Sequence, residues 1–438
     1  MRAVAIIRRE WREPAAVLSA FADEPWDCAF LSGGEGPRAR WSYLLRKPDA
    51  VLEDASFEAL AALIGPRLPH HPDGPPFQGG VAGLACYELG DRVEALGLPR
   101  HPDWRDLAAA RYPALLAFDH ERREVLALGR SEDEARDAAR WLDASPRDGA
   151  AGVLAERFEP ATPGADYEAA VSEVIRRIEA GEIFQANIAR RWAGRLAEGV
   201  TPFDVLARLA GDAPAPFAAY LRLPGRAVVS NSPERFLSVG AGDELTVETR
   251  PIKGTRPRGR TREEDAALAA ELAASAKDRA ENLMIVDLMR NDLSRVCPAG
   301  AVAAPELFRV ETFPNVHHLV STVTGRLAPG MTAVDLLQAA FPPGSITGAP
   351  KVQAMKVIAA YEPPRGPYCG SMFWAGADGA FDSSVLIRTV SLVEDEGGWR
   401  FEAPAGAGIV ADSGPVLERE ETEAKIAALR RALTEPAA

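Results

Sequence analysis

Between positions 164 and 181, Val171, Val174, Ile175 and Ile178 fall at i, i+3, i+4 and i+7, one apolar stripe of a helix. Gly181 then stands where a left-handed terminal residue is needed. Directly afterwards the period changes to two. Phe184, Ala186 and Ile188 alternate with Gln185 and Asn187, which predicts a strand with one polar face. Residues 4–7, 29–31, 114–118, 310–323 and 383–393 also read as strands, and 228–236 as a strand turning at Pro233. Glycines 79, 80 and 83 mark a strand in close backbone contact with a neighbour. Residues 53–64, 131–142 and 278–293 carry helical patterns, and Thr261-x-x-Glu264 is a capping box opening another helix. A last helix starts after Asp412-Ser413-Gly414-Pro415 and buries Ile426, Leu429 and Leu433. Strands and helices do not alternate strictly, so the expected class is α+β, with large mixed or antiparallel sheets. Residues 147–163, rich in Gly, Pro and Ala, read as a linker between an N-terminal region (1–145) and a second region (165–432).

Composition narrows the partners more than the fold. Apolar residues make up 47% of the 438, enough for a full core. A net charge of -13 leaves no electrostatic footprint for nucleic acid or an anionic membrane. Any anionic ligand must therefore be met by local cations. The cysteines at 28, 86, 297 and 369 form no Cys-x-x-Cys pair, which argues against a zinc site or a disulfide framework. No apolar run reaches membrane-spanning length, so the chain reads as soluble and cytoplasmic.

Candidate chemistry begins at 248–259, where Pro and Gly exclude a helix and make a poor strand interior, predicting a rigid loop around Lys253. Desolvation disfavours a charged lysine, and a neutral amine is a nucleophile. Two helices carry acids three apart, Asp278 with Glu281 and Glu418 with Glu421, so each pair shares a helix face. Either pair alone reads as a solvated face; the two together supply the oxygen donors that Mg²⁺ prefers. Arg388, after the apolar Val385-Leu386-Ile387, must be paired to protein or ligand if buried. Lys425 lies one turn past Glu421, and the amides around Gly406 and Gly408 could cap an anion. Glu234 is a candidate general acid, whereas His317 and His318 are not separable on chemistry alone.

The ordered motifs FQAN (184–187), SPERF (232–236), RPIKGTRPRGR (250–260), DRAENLMIVDLMRNDL (278–293), HHLVSTVTG (317–325), GSITGAPK (344–351) and DSGPVLEREETEAK (412–425) resemble the chorismate-utilising enzymes. That family includes anthranilate, aminodeoxychorismate, isochorismate and salicylate synthases. The resemblance covers about 165–430, with 1–145 similar to the family's divergent N-terminal region, and implies a fold like anthranilate synthase component I around a central cleft. It implies that Asp278, Glu281, Glu418 and Glu421 surround a Mg²⁺ that binds the ring carboxylate of chorismate. Glu234 corresponds to the acid that protonates the departing C4 hydroxyl, and His318, rather than His317, to the histidine near the reaction centre. Arg388, Gly406, Gly408 and Lys425 match carboxylate-binding positions, and Gly254 and Thr255 contact the substrate. Trp374 matches a substrate-binding position where relatives often have tyrosine, so the resemblance implies that a hydroxyl contact to substrate is replaced or lost there.

Two positions discriminate within the family. Members that add water at C2 carry a lysine base at the place of Ala186, and alanine cannot take a proton. Anthranilate synthases read Pro-Ile-Ala-Gly-Thr in the central stretch; here it is Pro251-Ile252-Lys253-Gly254-Thr255, the version of aminodeoxychorismate synthase component I. The implied reaction is amination of chorismate at C4 through a covalent Lys253 adduct, toward 4-aminobenzoate and folate. No cysteine lies in a Gly-x-Cys-x-Gly turn, so ammonia is expected from a separate glutamine amidotransferase subunit, component II. The alternatives are an anthranilate synthase component I and a non-catalytic binding relative.

Overall fold

The structure, a computed structural model, describes residues 4–33, 39–242, 244–313 and 316–437. A 12-stranded sheet runs from Ala5–Glu10 at one edge through Cys28–Leu31, Phe217–Leu223, Arg226–Ser232, Thr389–Asp395 and Gly398–Ile409 to Gln185–Leu196 and Gly348–Ala349. A 10-stranded sheet runs from Ile252–Pro257 through Val316–Arg326, Thr246–Thr249, Arg235–Val239, Phe381–Ser384, Ser371–Gly376 and Gly80–Ala85 to Ala50–Glu53. Every strand pair among the described residues is antiparallel. The α+β expectation holds. Each sheet takes strands from both sides of residue 150.

Alternation along the strands builds the layers. Tyr43, Leu45, Leu221 and Val228 of the first sheet meet Ala82, Leu84, Met372 and Trp374 of the second in a core between the sheets. Outer faces are covered by helices. Ile426, Leu429 and Leu433 of Pro415–Thr434 seal the first sheet, and Ile285, Val286 and Met289 of Ala276–Ser294 seal the second. Each such fully buried side chain contributes roughly 1.5–3 kcal/mol.

Several local expectations change. The stretch read as a linker contains strand Ala155–Pro160, hydrogen-bonded to Gln185–Leu196. The long strand expected over 310–323 is a pair, Ala303–Thr312 and Val316–Arg326, whose turn lies outside the described residues. Residues 383–393 likewise split into Phe381–Ser384 and Thr389–Asp395, which lie in different sheets. The Thr261 hydroxyl accepts from the Glu264 amide (3.2 Å), but the Glu264 carboxylate returns to the amide of Arg260 (2.8 Å), one residue before the cap.

The chain crosses between the sheets at two adjacent points. Pro233 and Glu234 join Arg226–Ser232 of the first sheet to Arg235–Val239 of the second. Residues 385–388 make the return passage. The crossings are tied together: the Val385 amide donates to Glu234 O, the Asn231 amide to Arg388 O (3.0 Å each), and the Ser232 hydroxyl to Val385 O (2.6 Å).

Candidate functional site

A cavity of about 900 Å³ opens beside these crossings, between helices Ala276–Ser294 and Pro415–Thr434. Its walls carry Glu234, Lys253, Gly254, Thr255, Asp278, Glu281, His318, Arg388, Gly406, Gly408, Glu418, Glu421 and Lys425. Thus residues spread over nearly 200 positions converge. Trp374 does not: it stacks on Phe77 (4.8 Å between ring centroids) and meets Tyr43 edge-on, within the core between the sheets.

Lys253 reaches the cavity through a backbone irregularity. Residues 252–257, expected as a loop, form an edge strand, where proline is tolerated. Ile252 pairs with Val320 and Thr255 with His318, so this strand takes three residue steps where its partner takes two. The extra residue is a β-bulge, and bulges re-aim side chains. Gly254, at φ +85°, turns the backbone against Asp278 and Leu272. Burial lowers the pKa of Lys253, and Lys425 lowers it further, while Glu281, Glu234 and Glu421 oppose the shift. Counter-charge, absent from its chain neighbours, arrives from other elements.

Glu234 is 5% exposed, and burial pushes its pKa up to about 7. A carboxyl group there keeps its proton near neutrality and can act as an acid. The two histidines separate cleanly. His317 is buried and bonded to Thr312 Oγ1 and to Asp265, both at 2.9 Å, a structural role. His318 faces the cavity, with Nδ1 2.9 Å from Thr255 Oγ1; burial and the Arg388 cation push its pKa to about 4, so it is neutral. Arg388 sits in the return crossing with φ 53°, not within a strand, and it makes no side-chain hydrogen bond or ion pair with another described residue.

Both acidic pairs line the cavity. The Asp278 carboxylate is engaged by Arg256 (3.2 Å), and Lys277 lies 3.9 Å from Glu281. At the other helix Ser413 donates to Glu418 (2.6 Å), and Lys425 bridges Glu421 (2.5 Å) and Gly406 O (2.8 Å). Burial raises the pKa of Glu281 and of Glu418, and the charge of Glu421 adds to both. Burial opposes the charge on Glu421 as well, but Lys425 outweighs it and leaves its pKa below the usual value. Among the described residues no three His, Cys, Asp or Glu groups stand close enough to hold a metal ion as they are. As a donor set the carboxylates nonetheless suit a hard divalent cation, which would relieve their mutual repulsion.

Pairing of strand Gly398–Ile409 with Thr389–Asp395 ends at Glu402, so beyond it one edge is open beside the cavity. Its glycines match side chains opposite: a Cβ at Gly406 would stand 2.6 Å from Asn187 Oδ1, and one at Gly408 3.1 Å from Lys253 Nζ. The side chain of Ala186 points away, into an apolar cluster with Ile188, Ala354 and Ile409. Gln185 and Asn187 are therefore the strand's residues on the substrate side, and their amides cannot take a proton either. Sequence reasoning missed Asn231, Ser345 and Tyr368 as wall residues; an isolated Ser, Asn or Tyr gives no periodic or charge signal.

Comparison with known proteins agrees with this geometry. The family model described as chorismate binding enzyme matches residues 27–431. The aminodeoxychorismate synthase component 1 of Klebsiella aerogenes is 39% identical over 454 residues, covering 97% of this chain and 98% of its own length. The anthranilate synthase component 1 of Thermus thermophilus is 40% identical over 383 residues, covering 84% and 80%. A crystal structure of anthranilate synthase component I from Streptococcus pneumoniae superposes with a TM-score of 0.79 at 28% identity, covering 90% of this chain and 93% of that one.

Proposed function

The chain belongs to the chorismate binding enzyme family, and on that premise we propose that it carries out the aminodeoxychorismate synthase reaction, making 4-amino-4-deoxychorismate and water from chorismate and ammonia. One observation carries the reading. The amine of Lys253 stands inside the cavity, its charge disfavoured by burial, and burial lifts the pKa of Glu234, in the same cavity, to about 7. A neutral amine and a protonated acid are the two groups a substitution of hydroxide needs.

Lys253 Nζ attacks C2 of chorismate as the C4–O bond breaks, and Glu234 delivers its proton to the departing hydroxyl, releasing water. Ammonia then forms the C4–N bond, the C2–Nζ bond breaks, and the Glu234 carboxylate takes back a proton from the new ammonium. The covalent step blocks C2 and steers ammonia to C4. Arg388, which makes no ion pair with another described residue, and Lys425 would hold the substrate carboxylates. Neutral His318, fixed by Thr255, supplies a hydrogen bond at the centre. Glu281, Glu418 and Glu421, with Asp278 behind, would hold Mg²⁺, which would neutralise the ring carboxylate.

All four cysteines are buried and burial raises their thiol pKa values, so none is poised as a glutaminase nucleophile. An amidotransferase subunit as the ammonia source fits that chemistry and the "component 1" in the relatives' names. No helix among the described residues is long and apolar enough to cross a membrane. We place the reaction in the cytoplasm, in 4-aminobenzoate and folate synthesis. The second reading, anthranilate synthesis, has the Thermus relative in its favour. Incubation with chorismate, ammonium and Mg²⁺, with products resolved by chromatography and mass, decides. 4-Amino-4-deoxychorismate is expected; fluorescent anthranilate with release of pyruvate would overturn the proposal.

A further inference from the structure

The two glycines of strand Gly398–Ile409 open two neighbouring spaces along the cavity wall. The space at Gly408 holds Lys253 Nζ and the Gln185 amide, at 3.1 and 3.3 Å from where a Cβ would stand. The space at Gly406 holds Asn187 Oδ1 and Tyr368 Oη, at 2.6 and 2.9 Å from the corresponding point. Two residues along one strand separate them by roughly 6–7 Å.

Asn187 is held with unusual firmness for a residue whose side-chain oxygen is bare. Its amide donates to Thr347 O (2.8 Å), and its carbonyl accepts from the buried Arg365 guanidinium (2.6 Å). Asn187 is 6% exposed, yet Oδ1 is buried without a hydrogen-bond partner. Such an oxygen costs about 1–3 kcal/mol unless a ligand satisfies it. We propose that Asn187 Oδ1, with Tyr368 Oη beside it, seats the ammonia that attacks the substrate; the assignment rests on the reaction proposed above. An amide oxygen repels a carboxylate, so the acidic groups of chorismate do not belong here. An ammonium ion has no lone pair to give the ring. A small neutral donor remains. Ammonia can give two N–H bonds to the two oxygens and keep its lone pair for the ring. The Lys253 amine and this seat lie at neighbouring glycines of one strand, so two nitrogen nucleophiles can reach the same ring.

The test uses the whole chain with ammonium as nitrogen source. Asn187→Val keeps a branched side chain of similar size and removes the acceptor. KM for ammonia should rise about tenfold, as expected for one lost hydrogen bond. KM for chorismate should stay within twofold, and the Lys253 adduct formed without ammonia should match the wild type by intact mass. An unchanged KM for ammonia, or a rise confined to chorismate, overturns the seat. If the valine variant does not fold, Tyr368→Phe is measured by the same ratio, with a smaller rise for ammonia expected and the same contrary result. A wild type that yields anthranilate and no adduct refutes the proposed reaction, while the ratio of the two KM values still judges the seat.

Discussion

Replacing Glu234 with glutamine should make the protein more stable in alkali while abolishing its chemistry. Burial raises the Glu234 pKa from 4.5 to about 7. The sign follows from linkage: a carboxyl group whose folded pKa is raised costs nothing below its unfolded value. The cost grows as pH climbs from 4.5 to 7 and is complete above 7, where the fold must hold an anion that the unfolded chain leaves in water. A shift of about 2.5 units corresponds to about 3 kcal/mol at pH 8, and under about 1 kcal/mol at pH 5. At 5% exposure, solvent screening takes little from that figure. Glutamine keeps the shape and cannot ionise. For a chain of this length, about 3 kcal/mol corresponds to roughly 3 °C in melting temperature. Calorimetric scans of both proteins at pH 5 and pH 8 should show the variant melting higher at pH 8, with most of the gap gone at pH 5. The same variant should fail to convert chorismate. A variant that melts no higher than wild type at pH 8, or a gap of equal size at both pH values, would refute the claim that burial raises the pKa of this acid.

Three further outcomes follow from the site. Activity should depend on Mg²⁺, and Glu281→Gln or Glu421→Gln should lower it at least a hundredfold, which steady-state assays with and without EDTA measure; full activity in excess EDTA removes the metal. The histidines should divide by assay: His317→Ala, losing its bonds to Asp265 and Thr312, should cost about 1–3 kcal/mol of stability, seen as a lower melting temperature. His318→Ala should instead melt close to wild type and lower kcat. Glutamine alone should give no product with the purified chain, whereas ammonium at alkaline pH should; glutamine-dependent turnover without an added subunit would reveal a glutaminase site in this chain.

Much of this was legible in the sequence because charge and periodicity report on side chains. Acids at i, i+3 mark a helix face whatever that face meets, and the last helix declared its apolar stripe through Ile426, Leu429 and Leu433. Backbone events stayed hidden. Pro251, Gly254 and Pro257 read as a loop, since nothing in the residues shows that the strand lies at a sheet edge, where missing amides cost little. The run Val385-Leu386-Ile387 looks like strand interior, but Val385 and Leu386 are buried because the chain passes between two sheets there, so Arg388 lies in a crossing and not in a strand. Ala155–Pro160 is held in its sheet by main-chain pairing, to which composition is blind. Trp374 was assigned by family position, and only packing shows it facing the core. The bare oxygen of Asn187 is a fact about missing neighbours, which no sequence states.

The paired crossings at 233–234 and 385–388 have a mechanical consequence. They stitch the two sheets together at one point, and the stitches themselves carry Glu234 and Arg388. Sliding one sheet over the other would have to tear the hydrogen bonds of Val385, Asn231 and Ser232, so the sandwich cannot serve as a hinge for admitting substrate. Glu234 and Arg388, one on each crossing, are thereby held at a fixed spacing. Whatever the cavity admits is measured against a rigid ruler.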